Sequence, residues 1–331
     1  MKMYDNYDFI VQIAKQYYLY GVTQKDIAAK YNISRGMISQ LLTYAKNAGI
    51  VEVKYTINDL RHSELEYSRQ LEKIFNLSRA VVVPITEGSS INVLNICCEH
   101  AVDIINENMK RGETFGVTWG TTAYEFISTF HSHVGLHDIT VVPLIGDIYL
   151  ANSKVHINDM VQMLASKTNW KPMYVYAPAY TKSAEERSLY MQSSQMLELS
   201  ATWEKLDHAF VSAGRFFHYD HPVPAQVNVE DTEFLLNHPE VAVGDLCCNR
   251  LNIFGDLVND VYMQRMIAIS LKLLKKVPQV VGVALGTAKA YPAYVSLRSG
   301  AIKTFICDKD LAIALCAIDE IVQNWTARQK V

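Results

Sequence analysis

The sequence predicts an α/β chain in two parts: a small all-α helix-turn-helix domain at the amino terminus, then a large Rossmann-like domain on a mostly parallel sheet. Three observations carry the prediction. Residues 23–49 read as two short helices joined by a tight turn, and from residue 79 onward short β-branched runs alternate with helical stretches. Those runs are continuous instead of alternating with polar residues, which marks strands covered by helices on both faces. The expected division is 1–56 for the helix-turn-helix, 57–78 for a connector helix and 79–331 for the large domain.

Geometry identifies the turn. Counting back from Ile38, an apolar residue of the second helix, Asn32, Ala28 and Gln24 fall six, ten and fourteen positions earlier. Ala28 is small enough to let two steeply crossed helices approach, and Asn32 tolerates the left-handed conformation that the turn demands. Ile38 plugs the space between the helices, joined at helical spacing by Ile27, Tyr31, Leu41, Leu42 and Ala45. Thr23 followed by Asp26 reads as a capping box, Ser34 as the second N-cap and Gly49 as a stop. Upstream, Phe9, Ile10, Ile13, Ala14, Tyr17 and Tyr18 form the apolar face of a third helix.

Such a unit presents the start of its second helix to double-stranded DNA, so Gln24, Ser34, Arg35, Gly36, Met37, Ser39 and Gln40 are the candidate DNA-binding residues. Arg35 has the donor pair for guanine and Gln40 the donor and acceptor for adenine. A helical hairpin that merely packs is the plainer alternative; four coinciding positional demands favour the reader. Charge adds little: residues 1–60 carry seven Lys/Arg against five Asp/Glu, and the remainder 24 against 29. Weak net charge suits a specific reader used as a dimer more than a protein that coats DNA.

No apolar run approaches the roughly 20 residues needed to cross a bilayer, and no signal-peptide pattern opens the chain, so a cytoplasmic protein without a membrane partner is expected. The six cysteines, Cys97, Cys98, Cys247, Cys248, Cys307 and Cys316, form no CxxC pair. They read as reduced core residues, and neither a metal nor a cofactor is expected. The connector carries a broken apolar stripe, Leu60, Tyr67, Leu71, Ile74 and Phe75. It suits either a dimerising helix or one packed on its own domain.

The large domain reads as strand AVVVPI, helix 91–109, strand TFGVTWG, helix 122–129, strand ITVVPLIG, helix 158–167, then strands KPMYVYAPAY and LDHAFVSAG. A long irregular segment follows, then strands VVGVALG and TFICD, each with a helix after it. Ligands of such sheets sit beyond the carboxyl ends of the strands. Two strand-to-helix turns stand out there. Residues 116–122, GVTWGTT, offer free N–H groups and two threonine hydroxyls to a phosphate; residues 282–289, GVALGTAK, offer a close backbone and Lys289. Both lack the GK[ST] ending of a P-loop and the GxGxxG of a dinucleotide site. Taken singly, glycine turns are common as plain structure, Lys289 reads as easily as a solvated surface charge, and Trp119 reads as core before ligand platform.

The blocks YYLYGVTQKDIAAKYNISRGMISQLL, GVTWGTT, VVPLIG, HINDMVQMLA, WEKLDHAFV, VGDLCCNRL, VGVALGTAKAYPAYVSLRSG and TFICDKDLA, in this order, resemble the SorC family of bacterial sugar-responsive transcription regulators along nearly the whole chain. The resemblance implies an effector domain of the NagB/RpiA-like fold that binds a phosphorylated sugar or polyol, and assembly as a homo-oligomer, dimer or tetramer. Carried over by position, Gly120, Thr121 and Thr122 match the phosphate-proximal loop and Lys289 the basic residue of the late turn. Asp245 matches an acidic position suited to sugar hydroxyls, and His156 and Asn158 a polar pair lining the pocket, with a helix-capping role as the alternative for His156. The chain departs from the pattern at residues 211–214, VSAG where relatives read VGIG, and in the RFFHYDHP stretch that follows, whose Arg215, His218 and His221 suit either a ligand or a surface loop.

The implied function is a transcription regulator of a carbohydrate-utilisation operon whose DNA affinity an effector sets. The rival is a phosphosugar isomerase or deaminase with a DNA-binding appendage. That chemistry needs a general base and a second acid. The isomerase relatives carry a DGADE-like run, absent here; the nearest segment, residues 206–209, holds only Asp207 at a strand start.

Overall fold

The structure, a computed structural model, describes residues 7–51, 62–85, 90–133, 136–148, 156–214 and 227–329. Arg215, His218, His221 and Leu60 lie outside them. The chain divides into two compact units, residues 1–59 and 60–331.

In the small unit, α1 (Tyr7–Ala14) runs into one π turn, Lys15–Leu19, and is followed by α2 (Gln24–Tyr31) and α3 (Arg35–Asn47). Local chemistry sets each boundary. Thr23 Oγ1 accepts from Asp26 N at 3.2 Å and donates to Asp26 Oδ2 at 2.7 Å, so the hydroxyl and the carboxyl together close the start of α2. Asn32 adopts φ 54°, ψ 45°, and Ile33 N–H bonds back to Ala28 O at 3.0 Å, which is the Schellman close of a helix. Ser34 Oγ then accepts from Met37 N at 3.1 Å and starts α3. Ile10, Ile13, Ala14, Ile27, Ala28, Ile38, Leu41, Leu42 and Ala45 are buried together as one core.

The large unit opens with α4 (His62–Phe75), β1 (Arg79–Val83), α5 (Ser90–Asn108), β2 (Thr114–Val117), α6 (Thr121–Thr129), β3 (Thr140–Pro143), α7 (Ile157–Thr168) and β4 (Lys171–Pro172). It continues with α8 (Ala184–Met191), α9 (Ser194–Trp203), β5 (His208–Gly214), α10 (Val229–Asn237), β6 (Gly244–Leu246) and β7 (Asn249–Leu251). The last elements are α11 (Leu271–Leu274), β8 (Gln279–Ala284), α12 (Ala290–Arg298), β9 (Thr304–Asp308) and α13 (Lys309–Arg328). Seven strands pair in the order β1-β9-β8-β5-β2-β3-β4, and all of these pairs are parallel. β6 and β7 form an antiparallel hairpin on the end of β5.

The topology has one reversal. From β2 the chain moves outward through β3 to β4; from β5 it moves the other way through β8 to β9. The strand order thus reverses between β2 and β5, and in such sheets the ligand crevice lies beyond the carboxyl ends of the strands at that point.

Helix α4 packs on the large unit, with Leu71 and Phe75 in its core. Val82 N donates to Ser68 Oγ at 3.2 Å and Ala80 N to Glu72 Oε1 at 2.9 Å, so α4 satisfies backbone groups of β1, which lies at one end of the sheet. An uncovered edge would be a template for pairing with other chains.

Two readings of the sequence need correction. KPMYVYAPAY pairs with β3 only over Lys171–Pro172, and isolated bridges at Pro178 and Tyr180 follow. Pro172 and Pro178 have no N–H to extend a ladder. The segment read as irregular before β8 holds α10, the β6-β7 hairpin and α11, and the stretch before β5 holds α8 and α9. Their starts are capped by Asn228, Ser270, Ser183 and Ser193, signals visible in the sequence.

Candidate effector site and nucleic-acid surface

On α3, Ser34, Arg35, Gly36, Ser39 and Gln40 are exposed, while Met37 is half-buried against the small core. Gln24 opens α2 and is half-buried. Sequence reasoning missed Tyr44, 40% exposed and four residues after Gln40, so one helical turn further along the same face. Arg35 therefore leads a polar face that carries Tyr44 and Lys46 toward its far end. That composition suits base edges and phosphate together.

Five of the large unit's candidates, Gly120, Thr121, Thr122, Asp245 and Lys289, stand at the carboxyl ends of β2, β5 and β8. After β2 the chain turns at Gly120, whose φ of 127° is open only to glycine and which caps α6 without a side chain. The first N–H groups of α6 thus have no side-chain cap, and Thr121 (exposed) and Thr122 (half-buried) stand beside them. Phe126 of α6 stacks on Phe210 of β5 at 3.8 Å, holding the helix on the sheet. At the other end of α6, Lys167 donates to Ile127 O at 3.0 Å and to Ser128 O, placing positive charge on the negative end of the helix.

After β8, Gly286 turns at φ 78° and its N–H donates to Asp308 Oδ2 at 2.8 Å. The other carboxylate oxygen of Asp308 accepts from Leu311 N at 2.8 Å and starts α13. Burial pushes the Asp308 carboxyl above the usual range, against the pull of these two N–H donors. Asp308 was missed as a site residue, although its N-cap role was legible. Three residues after Gly286, Lys289 Nζ donates to Ala213 O at 2.9 Å near the end of β5.

The hairpin brings Asp245 to the same place. It pairs with Gly214, the last residue of β5, and a Cβ there would lie 2.4 Å from Asp245 Oδ1. Only glycine admits the carboxylate. Asp245 Oδ2 accepts from Cys248 N at 3.1 Å, across a turn in which Cys247 and Cys248 both have positive φ, 49° and 59°. Burial raises the Asp245 carboxyl to about 6, opposed by the Cys248 N–H and by the charges of Lys289 and Arg250. Asp245 and Lys289 therefore face each other electrostatically at the end of β5, beside the strand that delivers Gly120.

His156 and Asn158 follow β3 at the same end of the sheet but answer to other partners. Asn158 Nδ2 donates to Val175 O at 2.8 Å and its Oδ1 accepts from Val175 N at 3.0 Å, which uses both ends of the amide. His156 stands at the N-cap of α7 without capping it; its Nδ1 lies 3.4 Å from Asp147 Oδ1. His156, Asp147 and Val175 border a separate cleft of about 310 Å³ lined also by Tyr176 and Pro178.

Larger hollows lie elsewhere. One of about 660 Å³ runs between α4, α12 and α13, and one of about 520 Å³ lies at the amino ends of β1, β5, β8 and β9. In the second, polar groups are turned on one another: His208 Nε2 meets Glu113 Oε2 at 2.6 Å, and Asp207 Oδ2 accepts from both the N–H and the hydroxyl of Thr114, at 2.9 and 2.8 Å. Asp207 thus ties β5 to β2, at the end of the sheet opposite the crevice. Volume points away from the crevice, but free backbone donors, charge and topology point to it, and these are what a polar ligand needs.

Among the described residues no helix is long and apolar enough to cross a membrane. Residues 61–317 match the family model described as "Putative sugar-binding domain", and residues 12–47 match that of sigma-70 region 4, a helix-turn-helix. The sorbitol operon regulator of Klebsiella pneumoniae is 26% identical over 317 residues, 94% of this chain and 98% of that protein. The deoxyribonucleoside regulator of Bacillus subtilis is 23% identical over 305 residues, 92% and 96% of the two chains. The crystal structure of the full-length Klebsiella regulator SorC shares the fold, with a TM-score of 0.65 at 24% identity over 93% of this chain and 98% of that one. With a sugar-binding domain matched over most of its length behind a helix-turn-helix, the chain belongs to the SorC family of transcription regulators.

Proposed function

We propose that this regulator binds operator DNA of a carbohydrate-utilisation operon through α3 and that a phosphorylated sugar or polyol, bound at the crevice, sets its affinity. One observation carries the reading. Lys289 and Asp245, far apart in sequence, meet at the end of β5, and Gly120 opens α6 after the neighbouring strand β2, so all three stand on the carboxyl side of the topological reversal. Phosphate fits the N–H groups of Thr121 and Thr122 with Lys289 as counter-charge, and Asp245 accepts from sugar hydroxyls.

The mechanism is linkage. An effector that binds one arrangement of a dimer or tetramer better than another shifts the spacing of its DNA-reading helices toward or away from the half-sites. Fluorescence anisotropy with DNA from the neighbouring promoter tests it. Equal affinity for that DNA and for random sequence defeats the DNA half, and indifference of every sugar phosphate defeats the effector half.

Asp245 also gives the enzymatic alternative its one supporting observation, because a buried carboxyl near 6 beside a lysine has the character of a general base. Turnover of pentose or glucosamine phosphates at ordinary enzyme rates supports that reading. Loss of the same turnover in Asp245→Asn would assign it to this site.

A further inference from the structure

The turn after β2 contains a donor with nothing to donate to. The indole N–H groups of Trp170 and Trp203 reach carbonyl oxygens, Leu136 O at 3.1 Å and Pro143 O at 2.8 Å. Trp119 differs. Its Nε1 is shut off from solvent and has no hydrogen-bond partner among the described residues, while the ring as a whole is half-exposed. An indole N–H offers a donor only, and burial without an acceptor destabilises the state that contains it. A phenylalanine here would bury a smaller ring but carry no donor, so only the tryptophan bears this penalty.

Position supplies the reason. Trp119 directly precedes Gly120, the side-chain-free cap of α6, at the strand end beside β5. The first N–H groups of α6 and the indole N–H belong to one turn, Trp119 being the residue before the helix cap.

We infer that Trp119 is a specificity-determining residue of the effector site: its indole N–H donates to an oxygen of the bound phosphorylated sugar or polyol. The inference rests on the reading of the crevice given above and adds a residue that motif reasoning left as core. An orphan donor in the free protein that gains an acceptor on binding contributes to affinity twice, through the bond made and through the relief of the unpaired state.

The test uses the full chain in two forms. Trp119→Phe removes the N–H with part of the ring, and benzothienylalanine at position 119 keeps the bicyclic shape with sulfur in place of the N–H. Binding of a hexitol phosphate, a hexose phosphate, a deoxypentose phosphate and inorganic phosphate is measured by calorimetry, and thermal midpoints are measured without ligand. Both forms are expected to bind the effector about three- to tenfold more weakly, with a thermal midpoint equal to or above that of the unaltered protein. Weakening that extends to inorganic phosphate places the contact on phosphate oxygen; weakening confined to the sugar phosphates places it on a hydroxyl. Unchanged effector affinity in both forms overturns the role of Trp119 while the site itself stands. Failure of the unaltered protein to bind any of the four overturns both readings.

Discussion

Lys289 Nζ and Ala213 O lie 2.9 Å apart, joining the turn after β8 to the last residues of β5. The contact fixes an ammonium group at the mouth of the crevice, within electrostatic reach of the buried Asp245.

Removing that charge tests its role. Lys289→Met is expected to weaken binding of a sugar phosphate by about tenfold to a hundredfold, the range for a hydrogen bond to a charged group. Affinity for operator DNA without effector is expected to be unchanged. Calorimetry and anisotropy on the same preparation check both parts.

The raised carboxyl of Asp245 predicts a pH dependence with a definite sign. The folded protein holds this proton more tightly than the unfolded chain, whose reference is 3.8, so the stability it gives is complete below that value and is lost as pH rises through about 6. The loss is on the order of 3 kcal/mol for a group buried this fully. Asp245→Asn cannot ionise, so its stability relative to the unaltered protein is expected to rise by about that amount between pH 4 and pH 7. Urea midpoints across the range measure it; parallel curves refute it.

Asn32 holds a left-handed conformation at φ 54° between α2 and α3. Asn32→Ala is expected to cost the small unit about 1 kcal/mol and Asn32→Gly almost nothing, because only the alanine has a Cβ without a compensating polar group. Hydrogen exchange of α3 amides in the full chain reads the difference as roughly fivefold faster opening in the alanine form alone.

Arg35 is the cation at the exposed start of α3. Arg35→Ala is expected to weaken operator binding by about 1–3 kcal/mol and to relax preference at one base pair, whereas loss of a pure phosphate contact would weaken all sequences alike. Binding-site selection with both proteins distinguishes the two.

Legibility followed the range of the forces. Thr23, Asn32 and Ser34 act within three or four residues, so their caps and turn were readable and the structure places them as read. Asp308 has one local task, capping α13, and one distant task, holding Gly286 N–H twenty-two residues away; only the first leaves a sequence signal. The β6-β7 hairpin stayed hidden because its turn is Cys247-Cys248, where positive φ at two positions ordinarily announces itself as Asn-Gly. Asn158 looked like a pocket residue because its type and position fit; its engagement with Val175 is a tertiary contact that no motif encodes.

The central claim is that a phosphorylated sugar or polyol at the crevice controls the DNA-reading helix. Titrating the protein onto labelled promoter DNA, with and without each of a panel of sugar and polyol phosphates and their unphosphorylated counterparts, tests it most directly. The account predicts that at least one phosphorylated compound shifts operator affinity by about fivefold or more, that its unphosphorylated form does not, and that Lys289→Met abolishes the shift. Operator affinity that no phosphorylated compound moves, or a shift that survives Lys289→Met undiminished, contradicts it.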